Sequence, residues 1–288
     1  MIIVQLKGLL GNQMHQYALG KVLAMKNHTQ LKIDPVNFLN DATKRNYLRP
    51  FIPDLREITA ADQKLFFSRS LLSRIKRKTL RKKITIVNEA QNIEFKDYVL
   101  QLNGDIYLNG YWQSEKYLSQ FEREIRQEFS VKIKPDKPNA ELAVDIAKSN
   151  SVSIHFRRGD FVSNPEVNKL FGVLGFDYYK KSIDLITSRI HSPKFYVFSN
   201  EPEWVRKNFK IDYPTVYVDL NPEENRNYED MRLMSLCKHN IIANSSFSWW
   251  AAWLNTNFEK IVIAPKIWFS AEPNLDTSDL VPNAWLRI

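Results

Sequence analysis

The segment Ser151-Val-Ser-Ile-His-Phe-Arg-Arg-Gly-Asp160 crowds an imidazole, two guanidinium groups and a carboxylate behind a short apolar run. Val152 and Ile154 alternate as in a half-buried strand, so His155, Arg157, Arg158 and Asp160 gather at its carboxyl end, the edge where open α/β sheets bind ligands. Neighbouring residues on a strand point to opposite faces, which lets one arginine enter a crevice while the other ties down the loop. Phosphate is the target that suits such a pair best, because a guanidinium meets two oxygens with parallel hydrogen bonds. Arginine pairs at strand ends are more often solvated surface features; the apolar run before this one and the segments after it tip the balance. Asp160 is the candidate general base for a hydroxyl attacking near that phosphate, with His155 as its rival. A carboxylate beside two guanidinium groups is equally their structural partner, and such pairing lowers its pKa and weakens it as a base. His155, inside the strand, suits the orientation of a donor hydroxyl or phosphate.

A second stretch supplies a partner. Ile241 to Ala243 read as a short buried strand, Asn244, Ser245 and Ser246 as a turn rich in capping groups, and Phe247 to Leu254 as an apolar helix. The hydroxyls and backbone N–H groups of Asn244, Ser245, Ser246 and Phe247 then stand at a helix start, where phosphate binds without a lysine or a metal. Trp249, Trp250 and Trp253 serve mainly to pack that helix against the sheet. Asn200 and Asp219 follow strands over 194–199 and 215–218, and Asp230 lies in the first turn of a helix over 228–238. These three are candidates for ribose or base contacts.

The opening of the chain reads as a strand over 2–6, a tight turn from Gly8 to Gly11 and a helix from Asn12 to Lys26. Without a third glycine at the right spacing it is no dinucleotide fingerprint. Gly11 allows close backbone approach, and Asn12 and Gln13 are expected to present amides to sugar hydroxyls. Tyr111 and Trp112 leave a strand over 105–110, as an aromatic platform for a sugar ring or, more commonly, as packing. Together these five residues form the candidate acceptor side.

The elements that must position these groups alternate at short spacing. A strand over 30–34, helical and increasingly basic sequence over 59–83, a strand over 83–88 and a helix capped by Ser114 and running to about Phe129 fill the first part. The prolines of Lys132 to Pro138 mark a linker, which sets domains at 1–135 and 136–288. Beyond it come a helix over 139–148, a loop from Asn164 to Gly175, a helix capped by Asp177 and running to Ile190, a helix from Pro202 and a strand over 260–264. Such alternation argues an α/β class with parallel sheets and right-handed crossovers.

Composition excludes several classes. The chain has 288 residues, 44% hydrophobic and 25% charged, which suits two globular domains and not a disordered or fibrous chain. No apolar run approaches the roughly 20 residues of a membrane span, and Met-Ile-Ile-Val-Gln-Leu reads as a first strand, not a leader; a cytoplasmic location is expected. The one cysteine, Cys237, reads as a small buried hydrophobe. Of the net charge of +9, seven cations fall in the acid-free run Arg74 to Lys83. That run is a solvated face or, more sharply, a patch for anionic lipid that would hold the protein peripherally at the inner face of a membrane. Nucleic acid is not expected as a partner, since the run lacks interleaved aromatics.

His155-Phe-Arg-Arg-Gly-Asp160, Asn244-Ser-Ser-Phe-Ser-Trp-Trp-Ala-Ala-Trp253 and Gly8-Leu-Leu-Gly-Asn-Gln-Met-His-Gln-Tyr-Ala18 together resemble the α-1,2-fucosyltransferases of glycosyltransferase family 11. The three blocks stand in the family's order and span nearly the whole chain. One departure is His15, where members usually carry Phe. The resemblance implies the GT-B architecture, two Rossmann-like domains facing a cleft. It also implies an inverting enzyme that takes L-fucose from GDP-fucose, bound on the C-terminal half, to a terminal β-galactoside. A departing diphosphate must be stabilised by a metal or by fixed cations. The chain contains no Asp-x-Asp, so that work falls to Arg157, Arg158 and the helix start at Asn244 to Phe247, with no metal or other cofactor expected. The alternatives are a transferase for another nucleoside-diphosphate sugar and, from a different class, a non-catalytic glycan- or nucleic-acid-binding protein.

Overall fold

The computed structural model describes residues 1–38, 46–68, 84–90 and 93–288. The chain divides into two compact units, Met1–Lys132 and Ile133–Ile288. The basic run from Arg74 to Lys83 lies outside the described residues.

In the first unit the described elements are β1 (Ile2–Gln5), α1 (Leu10–Lys26), β2 (Leu31–Asp34), α2 (Ala60–Phe67), β3 (Ile84–Asn88), α3 (Asp97–Leu100), β4 (Asp105–Asn109) and α4 (Glu122–Glu128). The strands form a parallel sheet in the order β2-β1-β4-β3. α1 lies close on this sheet because Gly20 has no side chain: a Cβ there would come within 2.3 Å of Val4. His15 is buried in the same helix, and burial drives its imidazole down to about 3, so it packs as a neutral ring.

Two expectations change here. α1 starts at Leu10, so Gly11 is helical and Gly8 alone, at φ +74°, makes the turn. Ser114 caps only a short 3-10 turn over Glu115–Tyr117, because Phe121 (φ −131°, ψ 35°) leaves the helical dihedrals before α4 begins.

The second unit contains α5 (Lys137–Lys148), β5 (Asn150–Phe156), α6 (Asp160–Ser163), α7 (Pro165–Phe171), α8 (Phe176–Thr187), β6 (Pro193–Ser199) and α9 (Pro202–Asn208). It continues with β7 (Thr215–Val218), α10 (Asn227–Leu236), β8 (His239–Ile241), α11 (Ser246–Leu254), β9 (Val262–Ala264) and β10 (Leu286–Arg287). All six strands are parallel, in the order β10-β9-β8-β5-β6-β7. From β5 the chain adds strands first on one side and then, from β8, on the other, so the topological switch falls between these two and opens a crevice at their carboxyl ends. β5 is buried on both faces. Val152, Ile154 and Phe156 form a core with Phe195, Val197, Ile241 and Ile263, each such side chain contributing about 1.5–3 kcal/mol on burial.

The segment read as a loop from Asn164 is instead helical over α7. The Asn164 Oδ1 accepts from the N–H groups of Glu166 and Val167 at 3.0 and 3.3 Å, Pro165 takes the first position, and Gly172 at φ +65° ends the helix. α8 is preceded by Gly175 and not by Asp177, which lies in its first turn. Trp249, Trp250 and Trp253 are buried and pack α11, as their apolar spacing suggests. Among the described residues no helix is long and apolar enough to cross a membrane.

Candidate active site

The pairing of Phe156 with Ser199 sets the turn after β5 beside the turn after β6. Arg158 is committed there: its Nε donates to Glu201 at 2.8 Å and its guanidinium lies 3.2 Å from the centre of the Trp204 ring. Glu201 also accepts the Gly159 N–H at 3.0 Å, and the Asn200 Oδ1 accepts the Arg158 N–H at 3.1 Å. Gly159 sits at φ +39°, and a Cβ there would stand 1.8 Å from the Asn200 amide nitrogen. Arg158 and Asn200 therefore build this turn, while Arg157 is held differently. Its guanidinium meets the Asp160 carboxylate at 2.6 Å and lies 5.4 Å from the Phe161 ring centre, with 41% of the Asp160 side chain exposed. The Asp160 oxygen that meets Arg157 is itself buried, and Arg157 is held by this one carboxylate of its own turn, whereas Arg158 is held by Glu201 and Trp204 together.

His155 is 4% exposed, and burial, with the Arg157 charge beside it, drives its imidazole down to about 3. It is neutral at physiological pH. Its Nδ1 is buried without a partner, and its ring centre lies 5.5 Å from that of Phe247 in the first turn of α11. The start of α11 is tied in place: the Ala243 N–H donates to the Ser248 Oγ at 3.2 Å and the Phe247 N–H to the Ser245 Oγ at 3.4 Å. Ser246 is the first residue of that helix. The Asn244 amide donates to the carbonyls of Phe171 and Trp268 at 2.9 and 3.1 Å, and its Oδ1 is buried without a partner. Two buried polar atoms without a protein partner, the Nδ1 of His155 near the end of β5 and the Oδ1 of Asn244 in the turn after β8, thus lie on the two strands that flank the switch point.

The remaining donor-side candidates lie just after β7, Asp219, and in the first turn of α10, Asp230. Asp219 pairs loosely with Arg206 at 3.5 Å and is half exposed. Asp230 accepts from Asn221 at 2.8 Å, and burial, helped by the Glu229 charge, pushes its carboxyl up to about 7. Asn139 and Asn221 exchange two hydrogen bonds of 3.0 Å, and the Arg226 guanidinium holds Asp136 down to about 2.

In the first unit, Gln13 is fully buried with its amide donating to the Gly8 carbonyl and accepting the Tyr47 N–H, both at 3.0 Å. It closes the turn from inside and does not present its amide to a ligand. Gly11 is helical, as described, and Asn12 accepts from the Gln113 amide at 2.8 Å. Trp112 is 1% exposed and packs edge-on against Tyr117, so it is core and not platform, whereas Tyr111 is 42% exposed.

Glu201 and Trp204, which fix Arg158, were missed in the sequence. Ser199-Asn-Glu-Pro202 carries the signal, but a carboxylate two residues past a strand gains meaning only when that strand is known to lie beside β5. Tyr179 was missed for the same reason. Tyr179 donates to the His155 carbonyl at 3.1 Å and thereby steadies the end of β5 from α8.

Comparison with known proteins places this geometry. The chain is 34% identical over 297 residues to an alpha-1,2-colitosyltransferase of Escherichia coli, covering 100% of this chain and 98% of the relative. It is 33% identical over 310 residues to the O-antigen biosynthesis glycosyltransferase WbnK of Escherichia coli, covering 98% and 99%. With galactoside 2-alpha-L-fucosyltransferase SEC1 of Bos taurus it shares 27% identity over 259 residues, 87% of this chain and 63% of the relative. The family model described as glycosyl transferase family 11 matches residues 1–288. Two parallel α/β units, with a cationic turn and a helix start at the switch point of the second, are thus the framework of a glycosyltransferase, and the chain belongs to glycosyl transferase family 11.

Proposed function

We propose that this protein is an inverting galactoside α-1,2-fucosyltransferase, moving L-fucose from GDP-β-L-fucose to a terminal β-galactoside hydroxyl of a glycan. The observation that carries the reading is the presence, at one switch point, of both the Arg157–Asp160 pair and the N-terminus of α11. As the bond between the anomeric carbon and the diphosphate breaks, negative charge builds on the leaving oxygen. Arg157 and the α11 amides stabilise that charge more in the transition state than in the bound donor. The galactose hydroxyl attacks from the opposite side and gives up its proton to Asp160 or to water. Arg158 acts at one remove by holding the turn that carries Arg157. Asp230 and Asp219 are the acids for guanine and ribose.

Fixed cations and amides need no metal for this step. Turnover should survive EDTA, and an absolute requirement for added Mn²⁺ or Mg²⁺ would overturn that part. Peripheral contact with anionic lipid through Arg74 to Lys83 belongs to the same reading, and flotation with anionic vesicles checks it. A second donor is favoured by the 34% identical relative, named as a colitosyltransferase. Colitose is fucose without its 3-hydroxyl. Competing GDP-fucose against GDP-colitose on lactose, with the linkage and anomeric configuration read by NMR, decides between the two. No transfer from either donor would reject both.

A further inference from the structure

The first unit has its own switch point, between β1 and β4, and the residues leaving those strands differ in kind from those of the second unit. Lys7 follows β1 and reaches across to the Asn109 Oδ1 at 3.2 Å, with its ammonium 4.6 Å from the centre of the Tyr111 ring. Glu89, just past β3, accepts the successive N–H groups of Tyr111 and Trp112. This grip holds Trp112 at φ +56°, a conformation bulky residues seldom adopt, and the departure turns Trp112 inward while its neighbour Tyr111 stays 42% exposed. Gly110 is required beneath it, since a Cβ there would stand 2.4 Å from the Glu89 Cβ. Asn12 and Gln113, bonded to each other, add a planar amide pair.

We propose that Lys7, Glu89, Asn109, Tyr111, Asn12 and Gln113 form a pyranose-binding subsite, with Tyr111 as its ring platform and Glu89 and Lys7 as the residues that position it. The inference rests on the glycosyltransferase reading above and assigns to this subsite the acceptor sugar. An amphipathic ring with one polar tip suits the mixed surface of a pyranose, whose axial C–H groups need an apolar face and whose hydroxyls need paired donors and acceptors. An ammonium, a carboxylate and amides supply both kinds. Burial lowers the Lys7 pKa and raises that of Glu89, so neither charge is fully solvated.

The test compares wild type with Tyr111→Ala, Tyr111→Phe and Glu89→Gln, using lactose as acceptor and GDP-fucose as donor. Tyr111→Ala removes an exposed ring and should raise the KM for lactose about tenfold, as expected for the loss of one aromatic contact. The KM for GDP-fucose and its slow hydrolysis without acceptor should not move. Tyr111→Phe should restore the lactose KM, and Glu89→Gln should shift it in the same direction as Tyr111→Ala. An unchanged lactose KM in Tyr111→Ala, or a parallel rise in the KM for GDP-fucose, overturns the subsite. If wild type neither hydrolyses GDP-fucose nor transfers from it, the functional reading has failed and the subsite is judged alone by saturation-transfer NMR with methyl β-D-galactopyranoside. Binding to wild type that Tyr111→Ala abolishes supports the subsite; no binding to wild type, or equal binding to both, rejects it.

Discussion

The turn after β5 and the turn after β4 are braced by the same device. In each unit a glutamate just past one strand grips the loop leaving the neighbouring strand, Glu201 on Arg158 and Gly159, Glu89 on Tyr111 and Trp112. In each, one gripped N–H belongs to a residue of positive φ, Gly159 at +39° and Trp112 at +56°. The residues differ. Glycine adopts that conformation at no steric cost, whereas a tryptophan there carries strain of about 1–3 kcal/mol that its surroundings must offset. What the loops present differs too: an arginine paired with a carboxylate of its own turn in one, an exposed tyrosine under an ammonium in the other. A repeated parallel-sheet frame thus supplies the same brace twice, and the chemistry is set by the few residues each brace holds up.

The largest effect should come from Arg157→Ala. Removing one charge-assisted contact to a leaving phosphate lowers turnover by about 10²–10³-fold, and Arg157→Lys should restore little, because an ammonium lacks the two-pronged geometry. Steady-state kinetics with GDP-fucose and lactose measures both. Near-normal turnover in a folded Arg157→Ala protein would show that the two loops do not differ in the way claimed.

Asp160→Asn comes next. As the counter-ion of Arg157, Asp160 keeps that guanidinium oriented until the donor displaces it, so its loss should lower turnover about tenfold and alter GDP affinity. A general base would give another pattern: a fall of roughly 10²–10⁴-fold with GDP affinity intact and the acidic limb of the pH profile gone. Measuring GDP affinity and turnover on the same variant separates the two.

Why Arg157 and Arg158 part ways was not legible in the sequence. Side chains alternate along a strand, and that alone suggests one arginine in the crevice and one tying the loop. Which is which depends on Glu201 and Trp204, and they reach Arg158 only because β6 pairs in register with β5. The Asn244 to Phe247 helix start and the packing role of the tryptophans could be read directly, since they rest on local periodicity and capping, whereas the strand before them, His239–Ile241, lies two residues earlier than the apolar run Ile241 to Ala243 suggests. Gln13 could not. An amide beside a glycine turn looks like a ligand group until Tyr47, distant in sequence, is found donating to it. The helix over Pro165–Phe171 was legible in principle from Asn164-Pro165 at one end and Gly172 at the other, but two glycines and a proline together weighed toward a loop.

The two braces can be cut in parallel. Glu201→Ala and Glu89→Ala each remove hydrogen bonds in which the acceptor is charged, and each should cost about 1–3 kcal/mol, read as a lower urea midpoint. Only Glu201→Ala should weaken GDP binding. Equal loss of GDP affinity in both variants would mean that the turns are not separate sites, and the comparison would fail.

Asp230 gives the most specific effect. Burial raises its carboxyl from an ordinary value of 3.8 up to about 7, with the Asn221 hydrogen bond opposing the rise and the Glu229 charge adding to it. On raising the pH, the unfolded chain gives up this proton first and the folded protein holds it until about pH 7. Between those values the unfolded state binds fewer protons, so stability falls as pH rises and levels off above the folded pKa. Asp230→Asn cannot ionise and should lack this slope, so that the urea midpoints of variant and wild type diverge from pH 5 to 7 and then run parallel. Binding adds a second slope of opposite sense. The guanine edge donates two N–H groups, and a carboxylate accepts both only when ionised, so wild-type GDP affinity should climb through pH 7 relative to that of Asp230→Asn, which shares only the titration of the diphosphate itself. Divergent stability with wild-type and Asp230→Asn GDP affinities that move together with pH would make Asp230 a structural acid in the network with Asn139 and Asn221. The base contact would then pass to Asp219, whose loose pairing with Arg206 leaves its carboxylate accessible at the end of β7.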